Sequence, residues 1–121
     1  MNVKRIALIA ALCVCPFFSI AQATVLRVVV VKTADVKAYA KELEAGRKIL
    51  KDAGSTGVVR SWVARYAGEQ AGSVVVSIEY ADMTALATDY ETMDKNADYA
   101  AWLKGLAKMR EIVSDSIYEE L

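Results

Sequence analysis

Four aromatic side chains and one arginine carry most of the chemistry this sequence can offer. Trp62 and Tyr66 stand four apart in a β-rich stretch and so share one strand face, with Arg60 on the same face. Tyr90 and Trp102 fall on the apolar stripes of a later helical stretch. Indole and phenol rings bring an apolar body with one polar tip. A group of them can therefore wall a small-molecule pocket, the rings taking an apolar or aromatic ligand and the tips orienting it. The same rings could instead fill a core, and residue types alone leave both readings open. Arg60 would be costly to bury unpaired, so it stands either at the rim of such a pocket, where it could hold an anion, or beside a carboxylate. Trp62, Tyr90, Trp102, Arg60 and Tyr66 are thus the candidate ligand-binding set, and no catalytic residue can be named.

What is missing narrows the chemistry further. The chain has no histidine, and its two cysteines, Cys13 and Cys15, sit near the start. A Ser-His-Asp triad is therefore excluded, and so are the usual zinc sets; a thiolate nucleophile is excluded once the leader is gone. Asp82, Asp89, Glu91, Asp94 and Asp98 scatter around a helix instead of lining a loop with calcium-ligand spacing, so they read as caps and solvated surface. No metal site and no cofactor is expected. Lys37, Lys41, Glu44, Lys48 and Lys51 form a charged stripe that reads as a solvated helix face, with Glu44 and Lys48 at a favourable spacing.

The first 23 residues have the pattern of a secretory signal: Lys4 and Arg5, an uncharged apolar run from Ile6 to Ile20, then Ala21-Gln22-Ala23 as the cleavage site. The run is short of the roughly 20 residues a membrane span requires. The expected product is an exported protein, periplasmic or secreted, that begins at Thr24 and keeps no stable membrane anchor. Both cysteines, the one proline and both phenylalanines leave with the leader. Disulfides are then impossible even in an oxidising compartment. The leader also removes two of the fifteen basic residues and none of the fifteen acidic ones. The remainder is mildly acidic, which argues against nucleic acid as a partner. Roughly 100 residues remain, enough for one core, so 24–121 is expected to be a single domain.

The elements that must position the aromatics follow from periodicity. A valine-rich strand over 26–32 is apolar on both faces, as in a central strand covered from both sides. Thr33-Ala34-Asp35 offers N-caps for a helix whose stripe is Val36, Tyr39, Ala40, Leu43, Gly46, Arg47 and Leu50, with Gly54 as its stop. A strand over 57–66, turn residues over 67–72 and a strand over 73–80 make a hairpin. Asp82 caps a second helix bearing Leu86, Tyr90 and Met93. Its pattern weakens over 94–98 and restarts with Tyr99, Trp102, Leu103, Leu106 and Met109, a helix in two parts. A final strand is expected over 116–121. The order βαββαβ predicts a ferredoxin-like α+β fold, a four-stranded antiparallel sheet with the helices on one face. Val59, Val63 and Val75 then fall on faces that would be bare, and a second copy packed sheet against sheet is the simplest cover.

The valine-rich first strand, the hairpin from Val58-Val59-Arg60-Ser61-Trp62 to Val74-Val75-Val76-Ser77-Ile78-Glu79-Tyr80, and the segment Asn96-Ala97-Asp98-Tyr99-Ala100-Ala101-Trp102-Leu103 together resemble the dimeric α+β barrel superfamily. The similarity is to its antibiotic-biosynthesis-monooxygenase-like and NIPSNAP-like domains. It implies a homodimer, and activities that range from haem degradation through cofactor-free oxygenation to none known. The histidine a haem-degrading member would use is absent. The expectation is a small exported domain that binds an apolar or aromatic molecule or a protein partner. The alternatives are a cofactor-independent monooxygenase-like or isomerase-like enzyme, in which Trp62, Tyr90, Trp102 and Arg60 orient an electron-rich substrate, and a purely structural interaction module.

Overall fold

The computed structural model describes residues 23–121, so the expected leader, except for Ala23, lies outside the described residues. β1 (Val25–Lys32) is hydrogen-bonded on both edges, to β3 (Val74–Tyr80) and to β4 (Glu111–Glu119), with β2 (Val58–Val63) beyond β3. The sheet order is β2-β3-β1-β4 with every pair antiparallel, the ferredoxin-like α+β arrangement. The run of valines in β1 suits this central place between two neighbouring strands, where β-branched side chains fit the pleated surface.

Three helices cross one face of the sheet. α1 (Val36–Asp52) starts where the Asp35 carboxylate accepts the Ala38 N–H at 2.9 Å. It stops at Gly54, whose φ of 83° lets Gly54 N–H reach the Lys51 carbonyl and Ser55 N–H reach the Leu50 carbonyl. α2 (Met83–Asp94) is capped by Asp82, which accepts from Ala85 N–H at 2.7 Å. α3 (Ala97–Ala107) is capped by Asn96, which accepts from Tyr99 N–H at 2.8 Å. The expected two-part helix is therefore two helices, divided by the Asn96 cap. Val29, Val31, Val74 and Val76 of the sheet pack against Tyr39 and Leu43 of α1 and Leu106 of α3 to form the main core. Val25, Tyr80 and Leu86 form a second cluster beneath α2. No helix among the described residues is long and apolar enough to cross a membrane.

Two strand boundaries differ from expectation. β2 ends at Val63, because Ala64 pairs across the hairpin end with Ser73 and Gly72 while Gly68 and Gly72 take left-handed conformations. Tyr66 consequently lies in the turn. β4 begins at Glu111 instead of Ser116, since a bulge shifts its register: Val30 faces Ser114 while Val31 faces Ile112. The extra residue, Val113, breaks the period-2 alternation by which the strand could be read.

The strand register also corrects which residues are bare. Val59 is paired with Ile78 and Val63 with Val74, so both lie on the helix side, and Val59 packs on the core. Trp62 is paired with Val75 and Arg60 with Ser77 on the opposite, open face. That face also carries Leu26, Val28 and Val30, which alternate with the core-facing residues of β1.

Trp102 of α3 lies across α1 at Gly46, and its indole N–H donates to the Glu42 carbonyl at 3.1 Å. A Cβ at Gly46 would penetrate the indole ring, whereas one at Gly105 on α3 would meet nothing. Chemical denaturation should therefore find Gly46→Ala destabilised by about 1–3 kcal/mol despite the better helix former. Gly105→Ala should be neutral or stabilised by up to about 1 kcal/mol. Equal responses at the two glycines would contradict this packing.

Candidate functional site

The helices do not close fully on the sheet. Between α1, α3 and the sheet lies a cavity of about 160 Å³, walled by Val29, Leu43, Leu50, Val76 and Trp102 with Arg27, Arg47 and Arg110 among them. A neighbouring cavity of about 220 Å³ shares Arg27, Leu50, Ile78, Tyr99 and Leu103 with it and extends beneath α2 to Tyr80, Asp89 and Tyr90. A cavity on the order of 150 Å³ admits a benzene-sized molecule, so the two together form a cleft for a small ring system. Such a mostly apolar space with a few converging polar groups is the usual make-up of a ligand site.

Arg27 is the centre of the polar groups. It projects from the middle of β1 toward the helices and is met by Asp115 on β4. Its Nε and Nη2 donate to the two carboxylate oxygens at 3.0 and 2.6 Å, a two-pronged pairing in which both partners are charged. Those bonds hold the guanidinium charged well beyond its ordinary range, against the opposing effect of burial, and keep the Asp115 carboxyl below the usual carboxylate range. The guanidinium also lies 5.2 Å from the centre of the Tyr90 ring, within cation–π reach. Burial pushes the Tyr90 and Tyr99 phenols up, with the Arg27 charge opposing it. Tyr80 is pushed up as well, first by burial and then by the bond its hydroxyl donates to the buried Asp89 at 2.7 Å. These three phenols thus enter the neutral pH range as hydrogen-bond donors. Tyr99 and Trp102 stand on one turn of α3 with ring centres 5.8 Å apart.

The five residues singled out by sequence divide between the two sides of the sheet. Trp102 and Tyr90 line the cleft, at opposite ends of it. Trp62 is on the open face, 55% exposed, and its indole N–H donates to Ser77 Oγ at 3.1 Å. Arg60 is beside it and pairs with Glu79 at 3.3 Å, the carboxylate partner foreseen as one of its two options. Tyr66 is fully exposed in the turn. Period-2 alternation places Trp62 and Arg60 on one face without saying which face looks inward, and both faces of the hairpin carry valines. The residues that the aromatic pattern overlooks are Arg27, Arg47, Arg110 and Tyr99, which line the cleft, and Asp115, which pairs with Arg27 from just outside it. A signal existed for two of them: Arg27 is the one charge inside the valine run, and Arg47 sits on the apolar stripe of α1 beside Gly46 and Leu50. Among the described residues no three His, Cys, Asp or Glu side chains converge as a metal site would require.

No family model matches the chain, and no curated protein matches it. Solved structures do. A NIPSNAP family protein from Agrobacterium tumefaciens is 14% identical and covers 83% of this chain and 86% of its own, with a TM-score of 0.61. SnoaB, a cofactor-independent oxygenase from Streptomyces nogalater, is 12% identical over 79% of this chain and 91% of its own, with a TM-score of 0.56. A conserved protein of unknown function from Bacteroides thetaiotaomicron, described as a possible oxidoreductase, is 14% identical over 82% of this chain and 99% of its own, with a TM-score of 0.53. At such identities the likeness is one of fold, the ferredoxin-like α+β arrangement described above.

Proposed function

We propose that this protein is an exported domain that binds a small, flat, apolar or aromatic molecule in the cleft between its helices and its sheet. The observation that carries the reading is the cleft itself, an apolar space of ring-system size walled by Trp102, Tyr99 and Tyr90 around a fixed arginine. A second reading, a cofactor-independent oxygenase, is favoured by the likeness to SnoaB and by a cleft whose arginines would stabilise an aromatic oxyanion as it forms. In that case electron-rich hydroxylated aromatics should consume dioxygen in the presence of the protein. An oxygen electrode that stays flat across such a series would leave the binding reading alone.

The proposal includes a homodimer formed through the open sheet face. Leu26, Val28, Val30, Val75 and Trp62 share that face, and Tyr118 of β4 joins them opposite Leu26, itself 58% exposed. A second copy packed on this face would cover Trp62 and Tyr118, the large apolar side chains it leaves exposed.

Two measurements test these statements. Flat aromatic compounds should raise the melting temperature, and Leu103→Phe, which fills the junction of the two cavities, should weaken their binding about tenfold or more. Tyr66→Ala, in the hairpin turn, should leave binding unchanged. If no flat aromatic compound raises the melting temperature, the cleft is not a ligand site. Light scattering should report the mass of a dimer, and Val75→Asp should shift it toward monomer or aggregate while Val63→Asp, on the helix side, leaves it a dimer. A monomer unaltered by either change would end the dimer proposal.

A further inference from the structure

One part of the cleft has an unbalanced charge. Three arginines, Arg27, Arg47 and Arg110, line the cavity between α1, α3 and the sheet, and no acidic side chain does. Two of the three are matched from just outside it. Arg27 is held by both oxygens of Asp115, and Arg47 pairs with Glu44 one turn earlier on α1 while its Nη2 donates to Ser61 Oγ at 3.1 Å. Arg110 differs. Its Nη1 donates to the neutral hydroxyl of Tyr39 at 3.0 Å, and among the described residues it makes no ion pair. A guanidinium stays charged at every pH the protein meets. Two carboxylates against three arginines leave one surplus positive charge around the cavity between α1, α3 and the sheet, while Asp89 and Asp94 line the neighbouring cavity beneath α2.

The hydrogen-bond count agrees with the charge count. The Nε–H groups of Arg47 and Arg110 are buried with no hydrogen-bond partner. Leaving a buried donor of a charged group unmet is costly, and such an exception calls for an explanation in the function of the site. One negatively charged acceptor bound in this cavity would balance its charge. A second positive wall would be wasted on a neutral hydrocarbon, and a ligand of two or more charges would have to leave the excess in an apolar cleft.

We infer that the ligand of the cleft is a flat apolar molecule bearing a single negative charge on oxygen, a carboxylate or an ionised phenol or enol, and that Arg110 recognises this charge. The inference rests on the cleft being the ligand site, as proposed above. Arg27, its charge already paired with both oxygens of Asp115, stands beside the Tyr90 ring, and the rings of Tyr99 and Trp102 flank the apolar body.

Calorimetric titration of the full-length mature protein with naphthoate and with its neutral carboxamide tests this directly. Naphthoate should bind about tenfold more tightly or better, with the preference shrinking as salt is added. In Arg110→Met the two affinities should converge on that of the carboxamide, and in Arg110→Lys part of the preference should return. Naphthol titrated in parallel separates the two oxyanion classes: naphtholate absorbance appearing at neutral pH marks ionised phenols as ligands, and its absence marks carboxylates. Equal binding of naphthoate and carboxamide, or a preference that survives Arg110→Met, overturns the inference and leaves the cleft reading intact. Binding of neither probe overturns both. Should Arg110→Met fail to fold through loss of the Tyr39 bond, the wild-type ratio and its salt dependence decide alone.

Discussion

A guanidinium set in the middle of a valine sheet, facing the helices, is the constraint around which the rest of this structure is arranged. Burying Arg27 without a partner would cost several kcal/mol, so a carboxylate must reach it. Asp115 does so from β4, where the regular register beyond the bulge sets it opposite Val29, diagonal to Arg27. The pairing therefore ties the C-terminal strand to the central one by side chains as well as by backbone bonds. It also leaves the guanidinium within cation–π reach of Tyr90 on α2, 5.2 Å from the ring centre.

The cleft follows from how the helices are held off the sheet at this point. Large side chains at the two ends keep the layers apart: Tyr39, Leu43 and Leu106 on one side, Tyr80 and Leu86 on the other. Trp102 bridges α3 to α1 over Gly46, and the absence of a side chain there lets the indole lie flat along the helix instead of filling the space beneath it. The gap in the middle is walled by aliphatic side chains of sheet and helices, with the arginines and aromatic rings set among them.

Much of the fold was legible because its signals are local. Asp35, Asp82 and Gly54 announce helix ends through their own backbone chemistry, and each does in the structure what its residue type leads one to expect. The break between α2 and α3 was visible as a loss of stripe, with Asn96 its physical cause. The start of β4 was not legible, since a bulge erases alternation, and a bulge depends on the partner strand. The candidate site was legible by half. Trp102 and Tyr90 could be placed because a helix has one apolar stripe and it must face the sheet. Trp62 could not, because a strand with valines on both faces has no preferred inside until its neighbours are known. The arginines were hidden for a related reason: in a sequence, an arginine among apolar residues looks the same whether it snorkels to solvent or is pinned by a carboxylate 88 residues away.

Everything functional in this account depends on the cleft, and not the open face that bears Trp62, being the place where an aromatic molecule binds. The chain has two tryptophans, one on each side of the sheet, so a bound aromatic probe reports its own location. In Trp62→Phe, fluorescence from Trp102 alone should still be quenched as the probe binds, and in Trp102→Phe the quenching should vanish or weaken sharply. Quenching that disappears with Trp62 and persists without Trp102 would place the ligand on the open face and contradict the account.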